Sequence, residues 1–174
     1  PAFGGLLSCG GWIYDSIMEL PLLKKVILIG PDEEAFSRVE PEFKEKVEFL
    51  SRERLLEMEE TEVSAFVKNQ VGEYPLYISI DKDVLCETDA DTNWSQGDMR
   101  LSTMLECLGA VKEKCAERIS RILGVDICGE CDVTEPGNSA LNDMANAALL
   151  EFFTSTDVGE DIEENKNGTT GGNG

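Results

Sequence analysis

The stretch that most constrains this chain is Pro75-Leu-Tyr-Ile-Ser-Ile-Asp-Lys-Asp-Val-Leu85, an apolar run that ends in two aspartates one residue apart. From Leu76 to Ile80 apolar residues occupy both parities, so the run is expected to be an interior strand of a parallel sheet with helices over both faces. Side chains alternate along a strand, which puts Asp81 and Asp83 on one face and Lys82 on the other. Crevices in open α/β sheets lie beyond the carboxyl ends of the strands, where these carboxylates fall. Two like charges there are relieved by a shared proton or by a bound cation. A pair with only oxygen donors suits a hard cation. A strand that simply ends in a solvated acidic turn fits the same spacing.

The rest of the chain alternates strand and helix. Lys24–Gly30 is a β-branched run closed by Gly30-Pro31, and Lys46–Leu50 alternates as a strand nearer the sheet edge. The last core strand is expected to end at Cys128-Gly-Glu130. Helices are expected over about 12–20, over 32–39 with Asp32 as its cap, over 54–58 with Ser51 as its cap, and over 61–69 with Val63, Phe66 and Val67 inward. Two longer ones follow, over 102–117 with Met104, Leu105, Leu108 and Val111 inward, and over 139–153 with Leu141, Met144, Ala148 and Phe152 facing the sheet. This order implies right-handed crossovers. The fold class is therefore α/β, a three-layer α/β/α sandwich with a mainly parallel sheet, over residues 1–153. From Thr154 the chain turns to Gly, Asn, Thr and acidic residues that bury no core, so 154–174 is expected to be a disordered acidic tail. The opening Phe3–Trp12 is glycine-rich and loop-like, and Pro1 stands where a methionine would begin a chain; both suggest that further strands precede it.

A formal charge of −20 on 174 residues argues against nucleic acid or an anionic membrane surface as partner, and favours cations. No apolar run approaches a membrane span, and the features of a signal peptide are missing. Six cysteines without secretory features read as reduced thiols of a cytoplasmic protein. Cys128-Gly-Glu-Cys131 also meets the spacing of a redox dithiol, although Pro136 and Gly137 separate it from the next helix. Between the aspartates and the long helix lies a polar loop, Cys86–Asp98, too long for a tight turn. In it Trp94 is placed to wall a pocket and Asn93 or Gln96 to orient a ligand, or Trp94 merely anchors a solvated loop.

Ser79-Ile-Asp-Lys-Asp83 resembles the Ser-x-Asp-x-Asp metal motif of the arginase and agmatinase family, the ureohydrolases. The loop with Asn93-Trp-Ser-Gln-Gly97, the helix after it, and Ile122-Leu-Gly-Val-Asp-Ile-Cys-Gly-Glu130 resemble the family's following segments. The resemblance implies an arginase-like fold lacking its N-terminal strands and a centre of two manganese ions. In it Asp81 would bridge the ions and Asp83 would bind one. It implies a hydroxide made at the metals that attacks a small cationic guanidino or amidine substrate, with Glu130 as the acidic substrate contact. Glu130 stands one residue too far from Asp126, so Asp132 or Glu135 is the substitute. The family also uses histidine ligands, and this chain has no histidine. The chain by itself is therefore expected to be inactive, the missing donors lying upstream. The rival is a catalytically inactive α/β binding or scaffold domain of the same fold. Substrate identity and homo-oligomerisation stay open.

Overall fold

The computed structural model describes residues 11–118, 121–131 and 139–155. Within them the order is α1 (Trp12–Glu19), β1 (Val26–Ile29), α2 (Glu33–Ser37), α3 (Pro41–Lys44), β2 (Val47–Leu50), α4 (Arg52–Glu57), α5 (Glu60–Gln70), β3 (Leu76–Asp81), a 3-10 turn (Lys82–Val84), α6 (Leu101–Arg118), β4 (Ile122–Cys128) and α7 (Ser139–Thr154). The alternation of strand and helix yields parallel pairing throughout: β1 runs beside β2 from Val26↔Val47 to Ile29↔Leu50, and β3 beside β4 from Tyr77↔Gly124 to Asp81↔Cys128. The architecture is α/β with parallel strands, as the sequence implies. Among the described residues the strands form two separate pairs, β1–β2 and β3–β4, rather than one hydrogen-bonded sheet.

The pairs are joined by side-chain packing instead. One core gathers Ile80, Leu85, Met99, Met104, Leu108, Ala145 and Leu149; the other gathers Leu50, Val63, Val67, Val71, Cys107 and Ala110. Helix α6 serves both, because Met104 and Leu108 lie on a different side of it from Cys107 and Ala110. Ile29 packs against both clusters. Gly30 follows with φ +108°, and a Cβ there would lie 2.1 Å from Val84 Cγ2, so the chain leaving β1 rests directly on the turn leaving β3.

Several local expectations change. Ser51 does cap α4, its Oγ accepting from the Arg54 N–H at 3.2 Å. Asp32 makes no such bond, and its helix stops at Ser37. Helix α5 starts at Glu60, with the Glu62 carboxylate accepting from the Glu59 N–H at 2.9 Å, so an acidic capping box defines the start one residue before Thr61. The inner stripe of α7 is Asn142, Ala145 and Leu149, whereas Met144 is 70% exposed. Asn142 takes an inward position because it bonds the backbone of Asp91, and that pairing rotates the helix away from the purely apolar stripe.

The largest difference concerns β3. Its residues alternate, with Leu76, Ile78 and Ile80 turned to the core and Tyr77, Ser79 and Asp81 exposed. Among the described residues helices cover one face of this strand and not both. Its apolar content at both parities therefore overstates the burial of Tyr77, which is 60% exposed. No helix among the described residues is long and apolar enough to cross a membrane. The expected tail beyond residue 155 and the opening loop before residue 11 lie outside the described residues.

Candidate functional site

Strand β3 ends at Asp81, and the chain turns at once into the 3-10 segment Lys82–Val84. The Asp81 carboxylate accepts from the Asp83 N–H at 3.1 Å, and the turn closes with Leu85 N–H donating to Lys82 O at 2.9 Å. The two aspartates are thus brought together by an Asx-type turn, not by strand alternation, which corrects the geometry expected from the sequence. Burial raises the pKa of Asp83, and the neighbouring charge of Asp81 raises it further. Hydrogen bonds from Thr92 and the backbone of Ser95 pull the other way. Two coupled carboxylates stand here at the carboxyl end of a parallel strand, one exposed and one half-buried.

Cross-strand pairing adds residues that no spacing in the sequence could place. Ser79 sits opposite Asp126 and donates to its Oδ1 at 2.8 Å. The Tyr77 hydroxyl bonds the same carboxylate, which raises its pKa. Asp81 faces Cys128 in the register, and burial followed by the charges of Asp81, Asp126 and Asp83 pushes that thiol up to about 11. A thiol held so high is a poor nucleophile at neutral pH. Cys128 and Cys131 are not disulfide-bonded, and Cys131 Sγ accepts from Asn142 Nδ2 at 3.5 Å.

Lys82 points away from its two neighbours, as alternation implied, but into the protein: it is 0% exposed. Its ammonium is paired with Glu130 and donates to Asn146 Oδ1 at 2.8 Å, while Asn146 Nδ2 donates to Glu130 Oε1 at 3.0 Å. Burial pushes the Glu130 carboxyl up, but Lys82, Asn146 and Asn142 together hold it below its ordinary range. Glu130 therefore stands bound to a lysine of its own chain. The substitutes Asp132 and Glu135 lie outside the described residues. Asn142 and Asn146, one helical turn apart, were the missed members; two amides on an otherwise apolar face of α7 are the signal that could have found them.

The loop after the turn is pinned rather than free. Asn142 holds Asp91 through its backbone N–H at 2.9 Å and its carbonyl at 2.6 Å. Gln96 donates to Leu85 O at 2.6 Å and Ala90 O at 3.2 Å, which makes it a loop-building residue. Asn93 and Trp94 are exposed, Trp94 at 82%. On the far side of the turn a cavity of about 270 Å³ is lined by Gly30, Arg52, Leu55, Met58, Val84 and Arg100, among others, and by neither aspartate.

Carboxylates at Asp81 and Asp83 have the donor chemistry of a hard-cation site. Among the described residues, however, no group of three or more His, Cys, Asp or Glu side chains is arranged to hold a metal ion. These residues do not by themselves make the dinuclear manganese centre that the resemblance implies.

Parallel strands, their crossover helices and a carboxylate turn at one strand end define an arginase-like α/β fold. The structure is similar to that of arginase from Bacillus caldovelox in its native form at pH 5.6, with a TM-score of 0.53 and 18% identity, over 76% of this chain and 44% of that one. In sequence the chain is 32% identical over 150 residues to an uncharacterised protein of Thermotoga maritima, a match that takes in 84% of this chain and 51% of that protein. The chain thus spans about half the length of the relative it matches. No family model matches it.

Proposed function

We propose that the chain is the C-terminal portion of an arginase-fold hydrolase that cleaves a C–N bond of a guanidino or amidine compound. The observation that carries this reading is the Asp81–Asp83 turn at the carboxyl end of β3, the strand end where α/β folds bind ligands. Two manganese ions are the cofactor this reading calls for, and their chemistry would be the activation of water at neutral pH. Asp81 and Asp83 would be two of the donors, the others coming from outside the described residues. The chain's own residues do the positioning: the Asx-type turn holds the two carboxylates together, and Thr92 and Ser95 orient Asp83. Asn93 and Trp94, exposed on the adjoining loop, are the residues offered to a substrate. A cytoplasmic setting belongs to this reading, on the ground of six cysteines in a sequence without secretory features.

The test is release of urea or its equivalent from a panel of guanidino and amidine compounds. The protein would be extended to the length of its Thermotoga maritima relative, with manganese supplied. Turnover lost in Asp81→Asn is expected; no turnover of any compound, or turnover untouched by the substitution, would refute the reading. A second reading, a catalytically inactive binding or scaffold domain of this fold, is favoured by one observation: Glu130, the acidic residue matched to the family's substrate contact, is already engaged by Lys82.

A further inference from the structure

A fully buried lysine stays charged only where partners replace its lost water. Lys82 has two such partners, each from a different element: Glu130 just beyond β4 and Asn146 on α7. Asn146 closes the triangle by donating to the same carboxylate oxygen. The Glu130 side chain is itself 53% exposed, so its carboxylate meets solvent on one side and the lysine on the other. The chain itself thus supplies the counter-charge of this carboxylate.

Gly129 reinforces the arrangement. Its φ is +81°, and a Cβ there would lie 2.7 Å from Asp81 Oδ1, 2.7 Å from the Lys82 nitrogen and 2.9 Å from the Asp83 nitrogen. The exit of β4 therefore presents bare backbone to the aspartate turn, with no room for a side chain. The next residue, Glu130, turns to the lysine.

We propose that Lys82 is a built-in cation: its ammonium takes the place at Glu130 that the cationic group of a ligand would take, so that a ligand of this chain is not held through Glu130. This rests on the reading above only in taking the ligand for a guanidino or amidine compound, and its tests need neither metal nor turnover.

Lys82→Ala leaves a cavity beside an anion that lacks its cation. Thermal unfolding of the whole chain in ethylammonium chloride, against sodium chloride at equal concentration, reads whether a small cation refills it. Ethylammonium is expected to raise the Tm of Lys82→Ala by several degrees, and to do so neither in the wild type nor in Lys82→Ala/Glu130→Gln. An equal response in all three would overturn the proposal. Should Lys82→Ala fail to fold, acetylation of the native wild type, read by peptide mass spectrometry, decides. Lys24 and Lys25, both exposed, are expected to react while Lys82 does so at least about a hundredfold more slowly. Labelling of Lys82 at the rate of Lys24 would overturn it.

Discussion

Strands β1 and β2 form a parallel pair that closes on Gly30-Pro31 over an apolar core; β3 and β4 form a parallel pair that closes on Asp81, a buried lysine and two asparagines. The first pair is held by Leu50, Val63 and Val67, which need no partner beyond contact. The second is apolar on the side facing α6 and α7 but polar on its exposed face, where Tyr77, Ser79 and Asp126 are bonded across the strands, and beyond its carboxyl end, where Lys82, Glu130 and Asn146 are bonded across three elements. Buried polar groups add little net stability even when fully paired, and are costly when one partner is lost. The first pair also ends in polar contacts, Ser51 with Glu33 and Arg54 and Arg52 with Asp98, but among the described residues only the second end buries a lysine.

The comparison breaks most forcefully at Leu50, which is fully buried: Leu50→Ala is expected to lower the unfolding free energy by about 2–5 kcal/mol, measured in urea. A loss below about 1 kcal/mol would mean that the first pair is not the rigid apolar half described. Next comes Gly129→Ala, expected to destabilise by about 2 kcal/mol or more because the positive φ and the backbone of the aspartate turn both resist a Cβ. A neutral substitution would show that the turn and the exit of β4 are not in contact.

Asn142→Ala is expected to remove about 1–3 kcal/mol through the loss of its two hydrogen bonds to the backbone of Asp91, while Met144→Ala, two residues on, changes stability by less than about 0.5 kcal/mol. The reverse order would restore the purely apolar face that periodicity suggests for α7.

The smallest effects separate the two halves by pH. In the first half, burial and then the charge of Glu106 push the Cys107 thiol from its ordinary 9.0 up to about 11, so the folded state favours the neutral thiol. Its contribution is whole below pH 9 and is lost as the pH rises towards 11. In the second half Glu130 is held below its ordinary 4.5, so its contribution is present above that value and is lost as the pH falls through the folded pKa. Stability measured across pH should therefore lose an alkaline limb in Cys107→Ala and an acid limb in Glu130→Gln; both variants losing the same limb would contradict the assignment.

Much of the first half was legible in the sequence because contact alone builds it. The β-branched run ending at Ile29, the Ser51 cap and the stripe of Val63 and Val67 follow from local periodicity and local hydrogen bonding. In the second half the sequence showed where the carboxylates would fall, but not how they would meet. Asp81 and Asp83 are joined by a turn that depends on the Asp81 side chain reaching forward to accept from the Asp83 N–H, which period-two alternation does not contain. Alternation turns Lys82 away from the aspartates but does not name its counter-ion, 48 residues away, and periodicity does not mark Asn142, whose partner is 51 residues away. The Ser79–Asp126 pairing needed the register of two strands, 47 residues apart in the chain. Periodicity reports which side of an element is apolar; it does not report which polar groups have found each other across the fold.

The account turns on Asp81 and Asp83 as the carboxylates of a cation-dependent site. The measurement that tests this most directly is manganese content per chain, by elemental mass spectrometry, on the protein extended to the length of its Thermotoga maritima relative, with Asp81→Asn alongside. About two ions per chain are predicted in the wild type, and a loss of them in the variant. A wild type that holds none, or a variant that holds as many as the wild type, would contradict it.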